Sequence, residues 1–440
     1  MQSDFPSPRM KPLPPRRSAT YAVIDVGTSK IACLIARLTP VREAAAGDWR
    51  THRARVIGIG QRRAQGVKNG IVVDMEEVER SIRQAVDAAE RMCGAQADFV
   101  IVATAGGRLA SEHFAASTAI GGREVADADI HRILEVSAAQ ALPRGRVALH
   151  ARPTGFSLDG VSGVRDPRAM IGEELGARLH VAACDQAAMR NLVLAVERGH
   201  LGVEAVVAAP YASALSVVEP DEAEMGVATI DMGAGVTSVA VFERGEMVHV
   251  DAVTLGGALV TMDIARGLDA RLADAERLKI FHGSAISSAS DEREAVVFEN
   301  VGDQGVQSAR TSKAQLVRII RPRIEETFEF LRDRLARAGF QPGPGRRVVL
   351  TGGGSQLKGV VETSRRILGG QARIGRPIGI EGLPEAAAAP AFAAAAGLLV
   401  YPQVAEREYF AARTGRPARA AATGTDNYVR RVSRWLREGF

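Results

Sequence analysis

Cysteine is scarce: Cys33, Cys93 and Cys184 are the only three in 440 residues, far apart and without a CxxC pair. That spacing speaks against a clustered zinc site and against a disulfide framework. All three lie in apolar runs, where a reduced thiol behaves as a small hydrophobe. No stretch reaches the ~20 consecutive apolar residues that span a bilayer. The opening MQSDFPSPRMKPLPPRRS also lacks the apolar run of a signal peptide, so a cytoplasmic location is expected. GxGxxG and GxxxxGKS/T are both missing, which removes the Rossmann dinucleotide site and the Walker loop.

Basic charge is thinner in the body than the total suggests. The chain carries a net +5, but residues 1–18 hold +3 and 403–440 hold +4, leaving −2 for 19–402. A near-neutral body argues against nucleic acid as a partner and turns attention to the two ends. With 46% hydrophobic and 24% charged residues, the composition is globular rather than disordered. The length predicts roughly two to four packed lobes.

Five prolines and no apolar period mark residues 1–18 as a disordered Pro/Arg-rich arm. From Tyr21 to about residue 400, strand-like and helix-like patterns alternate, which predicts an α/β fold. MEEVERSIRQAVDAAERM (75–92) places Val78, Ile82, Ala85, Val86 and Ala89 on one helical face. A second helix is expected over 313–339, kinked or started near Pro322 and stopped at Gly339. The polar, turn-rich segment 284–305 predicts a loop excursion with a short strand. Residues 411–427, where Gly, Pro and Arg are interspersed among alanines and threonines, read as a tether.

One pattern occurs twice. TYAVIDVGTSKIACLIAR (20–37) sets Asp25, Gly27, Thr28, Ser29 and Lys30 between two apolar strands. GVATIDMGAGVTSVAVFERG (226–245) does the same with Asp231, Gly233, Ala234, Gly235 and Thr237. Glycine at a hairpin tip lets backbone N–H groups converge on an anion. Thr28, Ser29 and Thr237 can add hydroxyl donors. Asp25 and Asp231 would repel phosphate, so a hydrated Mg2+ is their expected ligand. A single Asp-Gly turn is commonplace; two copies, one in each half of the chain, would clamp one nucleotide from both sides. A third glycine turn, Gly352-Gly353-Gly354-Ser355, follows an apolar strand and precedes an amphipathic segment, the setting for a ligand at a helix N-terminus.

Together these residues resemble the actin-like ATPase superfamily, with its two phosphate loops and its adenosine loop in the right order. DARLADAERLKIFHG (269–283) resembles the superfamily's helix that carries a Glu and a Lys toward ribose and adenine, here Glu276 and Lys279. The segments 65–94, 150–185 and 197–233 narrow the resemblance to the FtsA family of bacterial cell-division proteins. It extends over nearly all of 19–402 and continues into the basic tail.

The resemblance implies an actin-like fold of duplicated ribonuclease H-like lobes with a displaced 1C subdomain and a C-terminal amphipathic helix. Subdomain 1A would take 19–98 and 182–212, 1C 99–181, 2A 213–258 and 2B 259–345. Residues 346–402 would complete 2A and 1A, followed by a linker (403–426) and a helix (427–440). ATP with Mg2+ is the implied cofactor. The implied partners are the C-terminal peptide of FtsZ, other copies of the chain in filaments through 1C and 2B, and later division proteins. The stretch Pro322-Arg323-Ile324-Glu325-Glu326 is similar to the family's peptide-binding PRxxE, giving Arg323 and Glu326 the gripping role. Two departures bear on chemistry. Val236 stands where relatives carry a Thr, and Ala209 where many carry a Glu; neither can orient an attacking water. His249 and His282 lie nearby in sequence, though a lone histidine is more often structural. Slow or undetectable ATP hydrolysis is the expectation.

Other readings compete: a sugar-kinase-like enzyme, or an actin-like assembly protein of a pilus or secretion system. The tail discriminates. On a helical wheel Tyr428, Val429, Val432, Trp435, Leu436 and Phe440 share an arc of roughly 140°, opposed by Arg430, Arg431, Arg434 and Arg437. This is the pattern of a helix lying on an anionic membrane surface. Each buried apolar side chain contributes at most ~1.5–3 kcal/mol and each arginine ~1 kcal/mol. Ordering the helix offsets much of that at ~1–2 kcal/mol per residue, so avidity on a filament would matter. The expected location is the cytoplasmic face of the inner membrane at the division site.

Overall fold

Two hairpins of the same design stand at the centre of two separate sheets. The structure, a computed structural model, describes residues 10, 13, 14, 16–41, 49–140, 142–302, 305–343 and 345–409. In the first sheet Ala19–Val26 pairs antiparallel with Lys30–Pro40, which pairs antiparallel with His52–Arg63. Phe99–Thr104 and Gly202–Ala208 extend the other side in parallel, and Ile380–Glu381 closes the far edge. The second sheet repeats the scheme. Val227–Met232, Thr237–Glu243 and Glu246–Val253 form the meander, with Arg347–Thr351 and Ala372–Ile374 in parallel beyond it.

Between the sheets lie two short helices, Ala209–Val217 and Ala393–Val400, in which every residue is buried. Their composition explains the placement. They carry no charged side chain, so both faces can be covered by a sheet without stranding a polar group. Their contact is close: a Cβ at Gly397 would overlap the Ala212 carbonyl oxygen. The outer faces take amphipathic helices instead. Met75–Cys93 lays Val78, Ile82, Ala85, Val86 and Ala89 on the first sheet, starting at an Asp74 side chain that accepts from the Glu77 N–H. Lys313–Arg337 lies over the second sheet and runs unbroken through Pro322; a start at Pro322 is therefore excluded. The 284–305 excursion holds the expected strand, Ala295–Gly302, which pairs with Gly305–Ser312 as a hairpin.

The second sheet continues into an inserted unit. Ala110–Glu124, Ile171–Asp185, Arg146–Leu158 and Val161–Val164 join it through a single paired position, Asp251 opposite Ala110. Side chains reinforce that narrow seam. The Ser111 hydroxyl donates to the Val250 carbonyl (2.9 Å) and accepts from the Val250 N–H (2.7 Å). Nε2 of His113 lies 2.9 Å from the Val248 carbonyl, which can only accept, so that nitrogen carries the proton. The helix Asp127–Ala138 covers the unit's own small core. Phe99–Thr104, expected within this module, belongs instead to the first sheet. Within the arm expected over 1–18, Leu13 is buried in the central core, while residues 1–9, 11, 12 and 15 lie outside the described residues.

Candidate functional site

The two hairpin tips fold alike because each is closed by the same bond. Gly27 N–H donates to the Lys30 carbonyl at 3.0 Å, and Gly233 N–H to the Val236 carbonyl at 2.9 Å. Each tip thereby turns its backbone toward a cavity of about 650 Å³ between the lobes, within the usual range for a small-molecule site. Asp25, Gly27, Thr28, Ser29 and Lys30 line one wall; Asp231, Gly233, Ala234, Gly235 and Thr237 line the other. Glu276, Lys279 and Gly352 to Gly354 complete it. The tips also touch. A Cβ at Gly235 would sit 2.5 Å from Thr28 Oγ1 and 3.0 Å from the Asn69 Cα, so only glycine permits this approach.

Electrostatically the cavity floor favours a cation. Burial pushes the Asp25 carboxyl up to about 6; the charge of Asp231 raises it further while Lys30 opposes the rise. Asp231 is raised as well, by burial, against the pull of the Ser213 hydroxyl, which donates to its Oδ2 at 2.5 Å, and of Lys30. Lys30 is lowered by burial, and the two aspartates counter this. Its Nζ is held rather than free. It donates to the Ala391 carbonyl at 2.5 Å and lies 3.4 Å above the Phe392 ring centroid.

Several expected contacts come out differently. The Thr237 hydroxyl donates to the Leu255 carbonyl, so this group braces the loop rather than offering a donor to phosphate. Ser355 lies outside the cavity lining. It is buried, with its hydroxyl donating to the Gly352 carbonyl at 2.8 Å. The glycines lead not into an α-helix but into a 3₁₀ turn, Gly353–Gln356, and the helix begins only at Val360. A helix N-terminus is thus not what this loop presents. Glu276 and Lys279 do come together. Lys279 Nζ donates to Glu276 Oε2 (2.7 Å), Thr261 Oγ1 (2.8 Å) and the Gly257 carbonyl (3.0 Å).

Arg323 and Glu326 lie one turn apart on Lys313–Arg337 and pair with each other. Arg323 is also held by Asp263, Nε to Oδ2 at 2.6 Å. Ile324 and Thr327 of the same turn line the cavity. His249 lies in Glu246–Val253, where burial pushes its imidazole down to about 4; neither it nor His282 lines the cavity. The tail residues Val429, Arg430, Arg431, Val432, Arg434, Trp435, Leu436, Arg437 and Phe440 lie outside the described residues.

Sequence reasoning missed one wall. Gly256 and Gly257 line the cavity, and the backbone there braces the second tip. Gly257 N–H donates to the Gly233 carbonyl (3.0 Å) and Ala258 N–H to that of Ala234 (2.8 Å). The signal was present as a Gly-Gly step between a strand and a helix. Ser213, which orients Asp231, gave no signal of its own. Ala209 and Val236 both line the cavity, bringing only aliphatic groups to it.

A family model described as cell division protein FtsA matches residues 228–397, and one described as the SHS2 domain inserted in FtsA matches 106–183. The chain is 48% identical over 439 residues to the cell division protein FtsA of Rhizobium meliloti (strain 1021), covering 100% of this chain and 99% of that one. Against the FtsA of Escherichia coli (strain K12) the identity is 28% over 424 residues, covering 95% and 97%. Among solved structures, a chain of the PilM-PilN type IV pilus biogenesis complex aligns with a TM-score of 0.60 at 17% identity, covering 88% of this chain and 99% of that one. MreB5 of Spiroplasma citri bound to ADP aligns with a TM-score of 0.50 at 13% identity, covering 88% and 97%. The fold is actin-like.

Proposed function

Because the chain belongs to the FtsA family of cell division proteins, we propose that it binds ATP with Mg2+, assembles as actin-like filaments and tethers FtsZ to the inner face of the cytoplasmic membrane. Recruitment of later division proteins belongs to the same reading. The observation that carries the nucleotide part is the pair of matching hairpin tips facing one cavity from opposite lobes. Glycine at 235 keeps the tips close enough to enclose a phosphate chain, and Asp25 and Asp231 form an oxygen-donor set suited to a hydrated magnesium ion. Glu276, Lys279 and Gly352 to Gly354 would receive the nucleoside. MreB5, which shares the fold, was solved with ADP.

Magnesium supplies charge neutralisation for the phosphates when bound. Lys30, held by the Ala391 carbonyl, would supply a positive charge to the bound phosphates. With alanine at 209 and valine at 236, these positions provide no group to align an attacking water, so turnover should be slow or undetectable. The tether part rests on the amphipathic 427–440, and FtsZ recognition on Arg323 and Glu326.

Two measurements test the reading. Calorimetric titration of the purified chain should show magnesium-dependent ATP binding; no heat and no competition with ADP would remove the nucleotide claim. Sedimentation with anionic vesicles should pull down the full chain but not a 427–440 deletion. A full chain that stays in the supernatant ends the tether claim. ATP turnover of many per second would contradict the assignment of Ala209 and Val236.

A further inference from the structure

The last described residues, Glu408 and Tyr409, are fastened to the inserted unit by three hydrogen bonds and a packed ring. Glu408 is a carboxylate with a 3% exposed side chain, and its Oε1 meets Nδ1 of the fully buried His150 at 2.6 Å. The other imidazole nitrogen, Nε2, accepts from the Ala208 N–H at 2.9 Å. Accepting there requires an unprotonated Nε2, so the proton sits on Nδ1 and the imidazole donates to Glu408. The Tyr409 N–H donates to the Ala151 carbonyl at 2.7 Å, and its hydroxyl donates to the His131 carbonyl at 3.2 Å. The Tyr409 ring packs on the small core of the inserted unit.

A segment that merely passed over this surface would leave a carboxylate in water. Burying one is costly without a partner, and here Glu408 has two: His150 of the inserted unit and the Tyr401 side chain of the central core. His131, His150 and Ala151 all fall within the inserted-domain match, while Val404, four residues upstream, still packs into the central core. The chain therefore passes within one turn from the actin-like body to the inserted unit, with Glu408 at the junction and Tyr409 on the unit, inside the segment expected as linker (403–426).

We propose that Glu408 and Tyr409 form a staple that makes the inserted unit the departure point of the C-terminal segment. A contact that reorients the inserted unit would then move the origin of the tether. This consequence rests on the membrane-tether reading; the staple itself does not.

The test uses the full-length chain with Cys93→Ser, and spin labels at Ala128→Cys, on the inserted unit's helix, and Ala411→Cys, two residues past the staple. The expected result is one narrow distance distribution, at least doubled in width by Glu408→Ala with Tyr409→Ala. Tyr409→Phe, which keeps the ring packing and the backbone bond, should broaden it less than the double change and guards against global unfolding. Equal widths in the unaltered and doubly altered chains, or a broad distribution in both, would overturn the staple. Deleting 427–440 keeps both label sites. Failure of vesicle binding in the full-length chain therefore counts against the tether alone, while the distance reading still decides the staple.

Discussion

Asp25 and Asp231 hold equivalent places in the two lobes: each lies across its hairpin from a residue seven positions later, Ala32 and Ser238. Each also pairs in parallel with a neighbouring strand, Asp25 with Ala103 and Asp231 with Thr351. The equivalence brings two carboxylates to one cavity, where each is raised chiefly by burial and both are countered by Lys30. Such a pair costs stability until a cation arrives.

That cost has a sign that can be measured. A carboxyl at about 6 in the folded chain against 3.8 unfolded binds its proton more tightly when folded. Above pH 6 both states are ionised and the folded one bears the whole penalty; the penalty fades as pH falls from 6 toward 4. The shift corresponds to at most about 3 kcal/mol, an upper bound because Asp25 is partly open to the cavity. Asp25→Asn should raise Tm at pH 7 and flatten the pH dependence of Tm between pH 4 and 6. It should also weaken magnesium-ATP binding at least ten-fold. A lower Tm at pH 7 would count against the electrostatic account.

Gly235→Ala tests the contact between the tips. The added methyl would meet Thr28 Oγ1 and the Asn69 backbone, and Thr28 cannot simply withdraw, because its Oγ1 accepts the Gly70 N–H at 3.2 Å. Overpacking of this kind costs about 1–3 kcal/mol, so ATP affinity should fall about ten-fold or more. The measurement is titration with ATP and magnesium, with Tm of the nucleotide-free chain as control.

The lobes were legible in the sequence because a strand, an acidic residue, a glycine turn and a second strand form a local pattern, and the pattern occurs twice. The cavity lining followed for the same reason: backbone at a hairpin tip goes where the hairpin goes. Side-chain roles were less legible. Thr237 looked like a phosphate donor, but its acceptor, the Leu255 carbonyl, lies on another segment. Ser355 was in the right loop, yet the 3₁₀ turn directs its hydroxyl back to Gly352. Arg323 and Glu326 were paired through the resemblance of their stretch to PRxxE; Asp263, on a different helix, was invisible to that stretch. The inserted unit's attachment at Asp251 and Ala110 had no sequence signal, since one paired position leaves no periodicity.

Asp263 makes Arg323 a guarded group. A peptide carboxylate would have to displace or share Asp263 before gripping the guanidinium. A partly exposed pair of this kind is worth up to about 1 kcal/mol, so Asp263→Asn should raise affinity for an acidic FtsZ-type tail peptide roughly two- to five-fold. Arg323→Ala should lower it about ten-fold, since charge-assisted bonds are worth about 1.5–3 kcal/mol. Fluorescence anisotropy of a labelled peptide reads both. An Arg323→Ala chain that binds as well as the unaltered one would move the peptide site elsewhere.

Gly397 decides whether the two lobes keep their common layer. In an ordinary helix interior, Gly→Ala stabilises by roughly 0.5–1 kcal/mol because alanine loses less backbone entropy. At Gly397 the new Cβ would enter the Ala212 carbonyl on the neighbouring buried helix, and backbone cannot swing aside as a side-chain end can. Ala209–Val217 is enclosed by both sheets and carries Ser213, so a shift there also disturbs the hydroxyl that orients Asp231. The steric term wins: Gly397→Ala should destabilise by more than about 3 kcal/mol. Gly267→Ala provides the contrast. Its nearest neighbour would be the terminal carbon of Ile319 at 2.8 Å, which can rotate away, so its cost should be small. Urea unfolding of the two variants should separate them by well over 1 kcal/mol; equal stabilities would mean that the helix pair can slide, and that the lobes are less tightly joined than their packing indicates.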